Sequence, residues 1–331
     1  MDTDLDTFLV AVSCQIDTML QEMALPPRPG PPPRMTDSEV LTLAVIGHWR
    51  SASERAVVRW AACALRAYFP VQLSQSAFNR RVRQLGQVCV AILTGLTDVL
   101  VPPDCPYEVV DTIAVPFMRQ CRGDRHRLFR DEAGVGSGGS DHQFFSGARL
   151  LLALTPCGVI TGLVVTPGGT QDRWLLEHLL TWRVTPVGVP WTVDDLGTRT
   201  RRGQSRVGVT GPCWWSASAG RARSGRYLAD RGFDGDVWHD HWQQDTGAEV
   251  QTTQHLPPGD PQRTRHNRCR QIVETVNGIL TETFHLHFPK GRTMWGMVTR
   301  IVAKCTAVNL AIWGNRVLGR PDLAAATLFP A

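Results

Sequence analysis

Tyr107-Glu-Val-Val-Asp-Thr-Ile-Ala-Val115 is an apolar run, rich in β-branched residues, that Asp111 interrupts. Such a run is typical of a buried β-strand. A carboxylate inside a buried strand is costly unless it is paired with a cation or bound to a metal. The run therefore predicts a strand of the core and makes Asp111 a candidate catalytic or metal-binding residue.

The segments after this strand predict a mixed sheet with helices packed on it. Ala148–Thr155 and Val159–Thr166 flank a Pro-Cys-Gly turn, which is typical of a hairpin. Helical and extended patterns then alternate along the chain. We expect helices at 172–182, 234–244, 268–284 and 293–318, and short strands at 227–230 and 249–252.

Residues 1–100 have helical patterns throughout. A proline-rich linker at 26–33 follows the first helix, and Thr36-Asp-Ser-Glu39 predicts a capping box before the second. Further helices are expected at 53–68 and 75–98, and Arg80 and Arg81 give the last one a basic face. This face is typical either of a small DNA-binding unit or of a solvated structural helix, and the pattern favours neither.

Composition limits the class of protein. The chain has 331 residues, 43% of them hydrophobic, and a net charge of +5, which is enough apolar material for one large or two smaller domains. Its nine cysteines include no Cys-x-x-Cys pair, which argues against a zinc module and a secreted disulfide framework and favours reduced, cytosolic thiols. The acidic N-terminus predicts no signal peptide, and no apolar run approaches the length of a membrane span.

Two further acids stand in unusual contexts. Asp230 ends the short apolar stretch Tyr227-Leu-Ala, and Glu274 lies in a segment whose helical wheel separates Val273, Val276, Ile279 and Leu280 from Arg270, Glu274, Asn277 and Thr281. Glu274 can therefore project from a helix packed on the sheet; the alternative is a surface Arg–Glu pair. Three carboxylates brought together by a fold would form a site for hard divalent cations such as magnesium.

Taken in order, these motifs resemble the DDE transposases that bacterial insertion sequences encode. The resemblance rests on Val-Val-Asp111-Thr, on Thr166-Pro-Gly-Gly-Thr-Gln-Asp172 after the hairpin, on Leu228-Ala-Asp-Arg-Gly-Phe233 and on Arg270-x-x-x-Glu274, and it covers roughly 105–320. Met35-Thr-Asp-Ser-Glu-Val-Leu-Thr and Phe78-Asn-Arg-Arg81 are similar to the N-terminal region of some of these enzymes. Each motif alone is weak, whereas their order and content together are fairly specific.

The resemblance implies an α/β fold: an RNase H-like mixed sheet flanked by helices, preceded by an all-helical N-terminal region. The first Asp of that fold lies on the central strand, the second at the end of a neighbouring strand, and the Glu on a following helix. The domains would be a DNA-binding region at 1–100 and a catalytic domain at 105–320. Residues 184–226, rich in Gly and Arg, would be an insert.

The resemblance also implies an activity. Asp111, Asp230 and Glu274 would hold two Mg²⁺ ions, for which Mn²⁺ can substitute, and these would serve hydrolysis at transposon ends and strand transfer into target DNA. The partners would be double-stranded DNA, as ends and as target, and further copies of the chain on that DNA. No membrane and no small-molecule cofactor is expected, and the location would be the prokaryotic cytoplasm, at the nucleoid.

Several other residues are expected near the DNA or the metals. Arg270 matches an arginine that the family often carries before its Glu and would contact a terminal phosphate. Basic clusters predict further DNA contacts at Arg119, Arg122, Arg265, Arg268, Arg80 and Arg81. Asp172 is expected to cap a helix or to stand behind the metal ligands. Asn267 and Thr281 replace a family Tyr and a family Lys or Arg, so contacts to the DNA ends would differ.

Two rival functions remain open at this point. One is an RNase H-like DNA nuclease without strand transfer. The other is a DNA-binding protein that derives from a transposase and no longer catalyses.

Overall fold

The computed structural model describes residues 5–23, 25, 30–50, 53–119, 129, 133–138, 143–184, 215–218, 224–254, 256–287 and 289–324, with the backbone alone at 5, 119, 143 and 215–218. The fold is mixed α/β, as predicted. The helices are α1 (Leu5–Glu22), α2 (Asp37–Arg50), α3 (Glu54–Ala64), α4 (Gln75–Gln84), α5 (Gly86–Leu100), α6 (Asp172–Val184), α7 (Asp236–Thr246), α8 (Pro261–Gly278) and α9 (Met294–Val317). The strands are β1 (Glu108–Arg119), β2 (Gly134–Gly138), β3 (Gln143–Leu154), β4 (Ile160–Pro167), β5 (Trp215–Ser218), β6 (Arg226–Leu228) and β7 (Glu249–Gln251).

The chain divides into two compact units. One comprises Met1–Leu96, Gly278–Gly291 and Gly296–Ala331, and the other Thr97–Asn277 and Arg292–Trp295. Nearly all of α9 is therefore grouped with the N-terminal helices, whereas the predicted boundaries placed it in a domain spanning 105–320. None of the helices among the described residues is long and apolar enough to cross a membrane.

The helical unit confirms the predicted capping box. The Thr36 hydroxyl accepts from the Glu39 amide at 3.1 Å, and the Glu39 carboxylate accepts from the Thr36 amide at 2.6 Å. The single helix expected at 75–98 is wrong. It is divided into α4 and α5 at Leu85, whose backbone leaves the helical region and is followed by Gly86, a residue of low helix propensity.

The sheet of the second unit has the order β5-β4-β3-β1-β6-β7, with β2 also paired to β3. Pairing is antiparallel from β1 through β3 and β4 to β5, and parallel from β1 through β6 to β7. The predicted hairpin is confirmed as β3 and β4. The strand that contains Asp111 therefore lies inside the sheet, where its antiparallel and parallel halves meet.

Helices α6 and α7 cover one face of this sheet. Val110, Leu151 and Val164 from three adjacent strands form one fully buried cluster with Leu175 and Leu179 of α6. Each such aliphatic side chain contributes roughly 1.5–3 kcal/mol when it is removed from water. Because side chains alternate along a strand, Asp111 projects from the face opposite to Val110.

Candidate active site

Strand register brings Asp111 and Asp230 to one place. β1 and β6 are parallel, with Val109 paired to Leu228. Asp111 and Asp230 each lie two residues beyond that pair, so the two carboxylates follow neighbouring strands at matched positions. Two acids that are 119 positions apart in the chain thereby become neighbours.

A short helical turn orients Asp230. The residue caps the 3-10 turn Arg231–Phe233, and its Oδ1 accepts from the Gly232 amide at 2.8 Å. Buried Phe233 anchors the turn in the apolar core. The backbone amide of Gly232 thus holds the Asp230 carboxylate in place just beyond the end of β6.

Asp172 is a third acid at this place. It is the first residue of α6, and its Oδ1 accepts from the Thr112 hydroxyl at 2.9 Å and from Arg149 Nη1 at 2.8 Å. A Cβ placed on Gly232 would lie 2.6 Å from Asp172 Oδ2 and 3.1 Å from Asp230 Oδ1, so these two oxygens are less than about 6 Å apart. Of the two roles predicted for Asp172, this geometry favours a position beside the other acids.

The electrostatics of the site show an excess of negative charge. Burial, then the charge of Asp230 and, more weakly, that of Asp172 raise the pKa of Asp111 to about 6, while Arg270 and the Thr112 amide oppose this shift. Arg270 Nη2 lies 3.5 Å from Asp111 Oδ2, and the Asp111 side chain is 21% exposed. The negative charge of the three carboxylates is thus only partly offset by the positive charges of Arg270 and Arg149.

The helix that carries Glu274 packs as predicted, but the Glu274 carboxylate does not join Asp111 and Asp230 in a three-ligand group. Val273 and Val276 on α8 are buried, as is Leu280 in the π-helical turn Ile279–Thr283 that follows it, as the helical wheel requires. Glu274 is exposed and has no hydrogen-bond or ion-pair partner among the described residues. Among all the residues that the structure describes, no three His, Cys, Asp or Glu side chains are close enough together to bind a metal ion. The triad of Asp111, Asp230 and Glu274 therefore remains a prediction.

The arginines expected to bind DNA differ in their surroundings. Arg265 and Arg268 are exposed on α8, and Arg80 is exposed on α4. Arg81 instead forms a salt bridge with Asp37. Arg122, the side chain of Arg119 and most of the predicted insert 184–226 lie outside the described residues.

Two contacts at the site were not predicted from the sequence. Arg149 of β3 reaches Asp172 across the sheet, and its Nη2 donates to the Ser137 carbonyl at 2.8 Å. His266, buried on α8, donates through Nε2 to the carbonyl of Ala229 at 3.0 Å and so ties α8 to the segment that leads into Asp230. The available signal for His266 was its spacing of four residues from Arg270, which places both on one side of the helix.

Asp111 and Asp230 are the residues at this place that could hold a hard divalent cation, because carboxylate oxygens are the ligands that magnesium prefers. Each accepts one backbone hydrogen bond, and the described residues bring no third ligand within reach. A bound cation would also offset the repulsion that raises the pKa of Asp111.

No protein-family model, curated protein or solved structure gives a significant match to this chain. Its functional interpretation therefore rests on its own residues and their geometry.

Proposed function

We propose that this protein is a DDE-type DNA transposase with an RNase H-like catalytic domain. The observation that carries the proposal is the register of β1 with β6, which sets Asp111 and Asp230 side by side. The strand order supports the fold, because β1 is internal, β6 is its neighbour, and α8, which carries Glu274, follows later in the chain. The resemblance of the motifs supplies the reaction class.

In this proposal Asp111 and Asp230 hold magnesium, with Glu274 as the third ligand. When bound, magnesium stabilises the negative charge that develops on the oxygens of a phosphodiester under attack. Asp230 is oriented for this role by the Gly232 amide, and Asp111 by the Thr112 amide at 2.8 Å. Glu274 lies one helical turn beyond Arg270 on α8, so its approach to the two aspartates requires movement of its side chain or its helix.

Arg270 has a second role in this proposal. Its guanidinium lies over Asp111 at 3.5 Å, which is longer than a good charge-assisted hydrogen bond. We expect a DNA phosphate to compete for this guanidinium, because a phosphate offers bidentate acceptors. Exposed Arg265 and Arg268, which precede Arg270 on α8, extend the positive surface from which the strand would approach.

The proposal is tested with a supercoiled plasmid and the purified chain in Mg²⁺ or Mn²⁺. We expect the native protein to nick or linearise the plasmid, and Asp111→Asn to bind the DNA and leave it intact. Asp240→Asn, which changes an exposed aspartate on α7, is the matched control and should retain activity. If the native protein cleaves no DNA with either metal, the enzyme proposal is wrong.

Strand transfer separates the transposase from the nuclease. Incubation with a pre-cleaved DNA end and a target plasmid should yield joined products, because a free 3′-hydroxyl replaces water as the nucleophile. Cleavage without joining would favour the RNase H-like nuclease.

One observation favours the non-catalytic alternative, and it is the exposed position of Glu274. If the protein only binds DNA, Glu274→Gln should bind DNA with the same affinity as the native protein, and neither should cleave it. A loss of cleavage in Glu274→Gln would exclude this alternative.

A further inference from the structure

A cavity of about 400 Å³ opens beside the acidic site. Its walls are β2, the start of β3, the loop from Gly168 to Gln171 and the first turn of α6, and Asp172 and Gly232 form its border with the carboxylates. This volume is in the range of ligand pockets. We propose that the cavity binds one unstacked nucleotide of the DNA strand next to the scissile phosphate, with its base on Phe144 and its phosphate at Arg173. The inference rests on the proposed function.

Apolar side chains on β2 and β3 offer a surface for a base. Phe144 is 64% exposed and Val135 is 50% exposed. Val135 pairs with Ser146, so Phe144, two residues away, is its diagonal neighbour on the same face. A large exposed aromatic beside an exposed aliphatic residue is an unfavourable surface for water, and an unstacked base would cover it.

Arg173 is one of two arginines that line the cavity. Its Nε is buried and has no hydrogen-bond partner among the described residues. The second arginine of the lining, Arg149, already donates to Asp172 and to the Ser137 carbonyl. Because Arg173 lines the cavity and forms no hydrogen bond or ion pair with the described residues, we assign the anion to its Nη atoms, the buried Nε being out of reach of a ligand.

The floor of the cavity is preformed by glycines. A Cβ on Gly136 would lie 2.1 Å from the carbonyl oxygen of Gly168, and one on Gly169 would lie 2.8 Å from that of Val135. The β2 backbone and the loop therefore touch directly, without side chains between them. This close packing fixes the loop and leaves the space above it free.

The combination of groups indicates a nucleotide within a strand. An aromatic wall, a free guanidinium and backbone polar groups match a base, a phosphate and a sugar. The border with Asp172 places the ligand next to the carboxylates that would act on the same strand. A free mononucleotide has the same chemistry, so the experiment includes it as a competitor.

The experiment uses a ten-nucleotide single strand of thymidines with one central 2-aminopurine, and the full chain in EDTA. The native protein should raise the 2-aminopurine fluorescence as the base leaves its neighbours. Phe144→Trp should quench it instead, because indole is then stacked on the base. Phe144→Ala should weaken binding by about 5- to 150-fold, the usual range for one base–aromatic stack.

Arg173→Gln tests the phosphate contact. We expect it to lower the slope of log Kd against log salt by about 0.7, the loss of one phosphate contact to a single strand. Val237→Ala and Arg226→Gln change exposed residues outside the cavity and should behave as the native chain. Thymidine monophosphate at millimolar concentration should fail to displace the oligonucleotide; displacement would overturn the assignment to a strand in favour of a free nucleotide.

Failure of the cavity and failure of the proposed function give different results. If the native protein cleaves plasmid DNA but Phe144→Trp leaves the fluorescence unchanged, the cavity does not hold the base and the inference is overturned alone. If the native protein neither binds the oligonucleotide nor cleaves plasmid, both proposals are overturned.

Discussion

Strand β1 carries two acids, Glu108 and Asp111, whose surroundings differ. Glu108 is fully buried, and its carboxylate meets Arg183 at 2.6 and 3.1 Å and also accepts from the Thr161 hydroxyl. The Tyr227 hydroxyl oxygen accepts a further hydrogen bond from Arg183 Nη1 at 2.8 Å. Asp111 projects from the opposite face, has its arginine at 3.5 Å, and lies near the charge of Asp230.

Under the proposed function, this difference separates a structural charge from a catalytic one. A buried ion pair whose carboxylate oxygens both accept hydrogen bonds holds elements together, here the start of β1 with the end of α6. A carboxylate with like charges around it is less stable when ionised and gains most from an added cation. We refer to the first region as the Glu108 cluster and to the second as the Asp111 site.

The largest expected effect is in the Glu108 cluster. Arg183→Met leaves the Glu108 carboxylate buried without its cation, which should destabilise the second unit by about 3–5 kcal/mol. The urea midpoint of unfolding measures this loss. Arg183→Met combined with Glu108→Leu should recover much of it, because the unpaired charge is then gone. A loss below about 1 kcal/mol in the single variant would show that the cluster is not held by this pair.

The Asp111 site should respond in the opposite direction. The folded-state pKa of Asp111 is raised from 3.8 to about 6, so the folded protein binds a proton more tightly than the unfolded chain. Its contribution to stability therefore falls as pH rises from about 4 to about 6, and Asp111→Asn should remove that fall. At pH 7.5 without metal, the variant should be more stable by up to about 3 kcal/mol, from about 1.4 kcal/mol per pKa unit.

Urea unfolding at pH 4, 5, 6 and 7.5 checks this prediction. The native protein and Asp111→Asn should coincide near pH 4 and diverge above it. Equal stability at pH 7.5 would mean that Arg270 and the Thr112 amide already compensate the carboxylate.

A smaller effect is expected where the carboxylates crowd a glycine. The added methyl group of Gly232→Ala would displace Asp172 or Asp230, as the 2.6 and 3.1 Å approaches require. Overpacking at this exposed position should cost about 1 kcal/mol and raise the Mn²⁺ concentration needed for half-maximal thermal stabilisation. Gly278→Ala is the control, since its Cβ would meet nothing within 4 Å. If Gly232→Ala leaves this Mn²⁺ concentration unchanged, neither Asp172 nor Asp230 takes part in binding the metal.

The smallest effect on stability is expected from Glu274→Gln. Its exposed side chain makes no hydrogen bond or ion pair with the described residues. The free energy of unfolding should therefore change by no more than about 0.5 kcal/mol, and the melting temperature accordingly little. DNA cleavage with Mg²⁺ should nevertheless fall strongly, because an amide is a poor magnesium ligand. Retained cleavage would remove Glu274 from the proposed ligand set and leave the pair Asp111 and Asp230.

Much of the fold follows from local patterns in the sequence. The capping box at Thr36, the hairpin around the Pro-Cys-Gly turn and the buried face of α8 were all predicted, because each depends on residues a few positions apart. The division of 75–98 at Leu85 was missed, since one apolar period runs through both helices.

The candidate site was predictable only in part. Asp111 and Asp230 could be singled out because acids next to apolar segments need a reason. Asp172 could be singled out only as the last residue of the motif Thr166-Pro-Gly-Gly-Thr-Gln-Asp172. The bonds of Asp172 to Thr112 and Arg149 could not, since they join residues 60 and 23 positions apart. Nor could the contact of Arg270 with Asp111, because it depends on where α8 lies against the sheet.

The sequence by itself determined the alternation of strands and helices and the three acids that stand out against apolar surroundings. Periodicity and side-chain chemistry are local properties, and a linear chain displays them directly. Only the tertiary structure decided that Glu108 is neutralised by Arg183 whereas Asp111 faces further carboxylates. Strand order and register bring distant residues together, and the energy of a charge depends on those neighbours and on its distance from water.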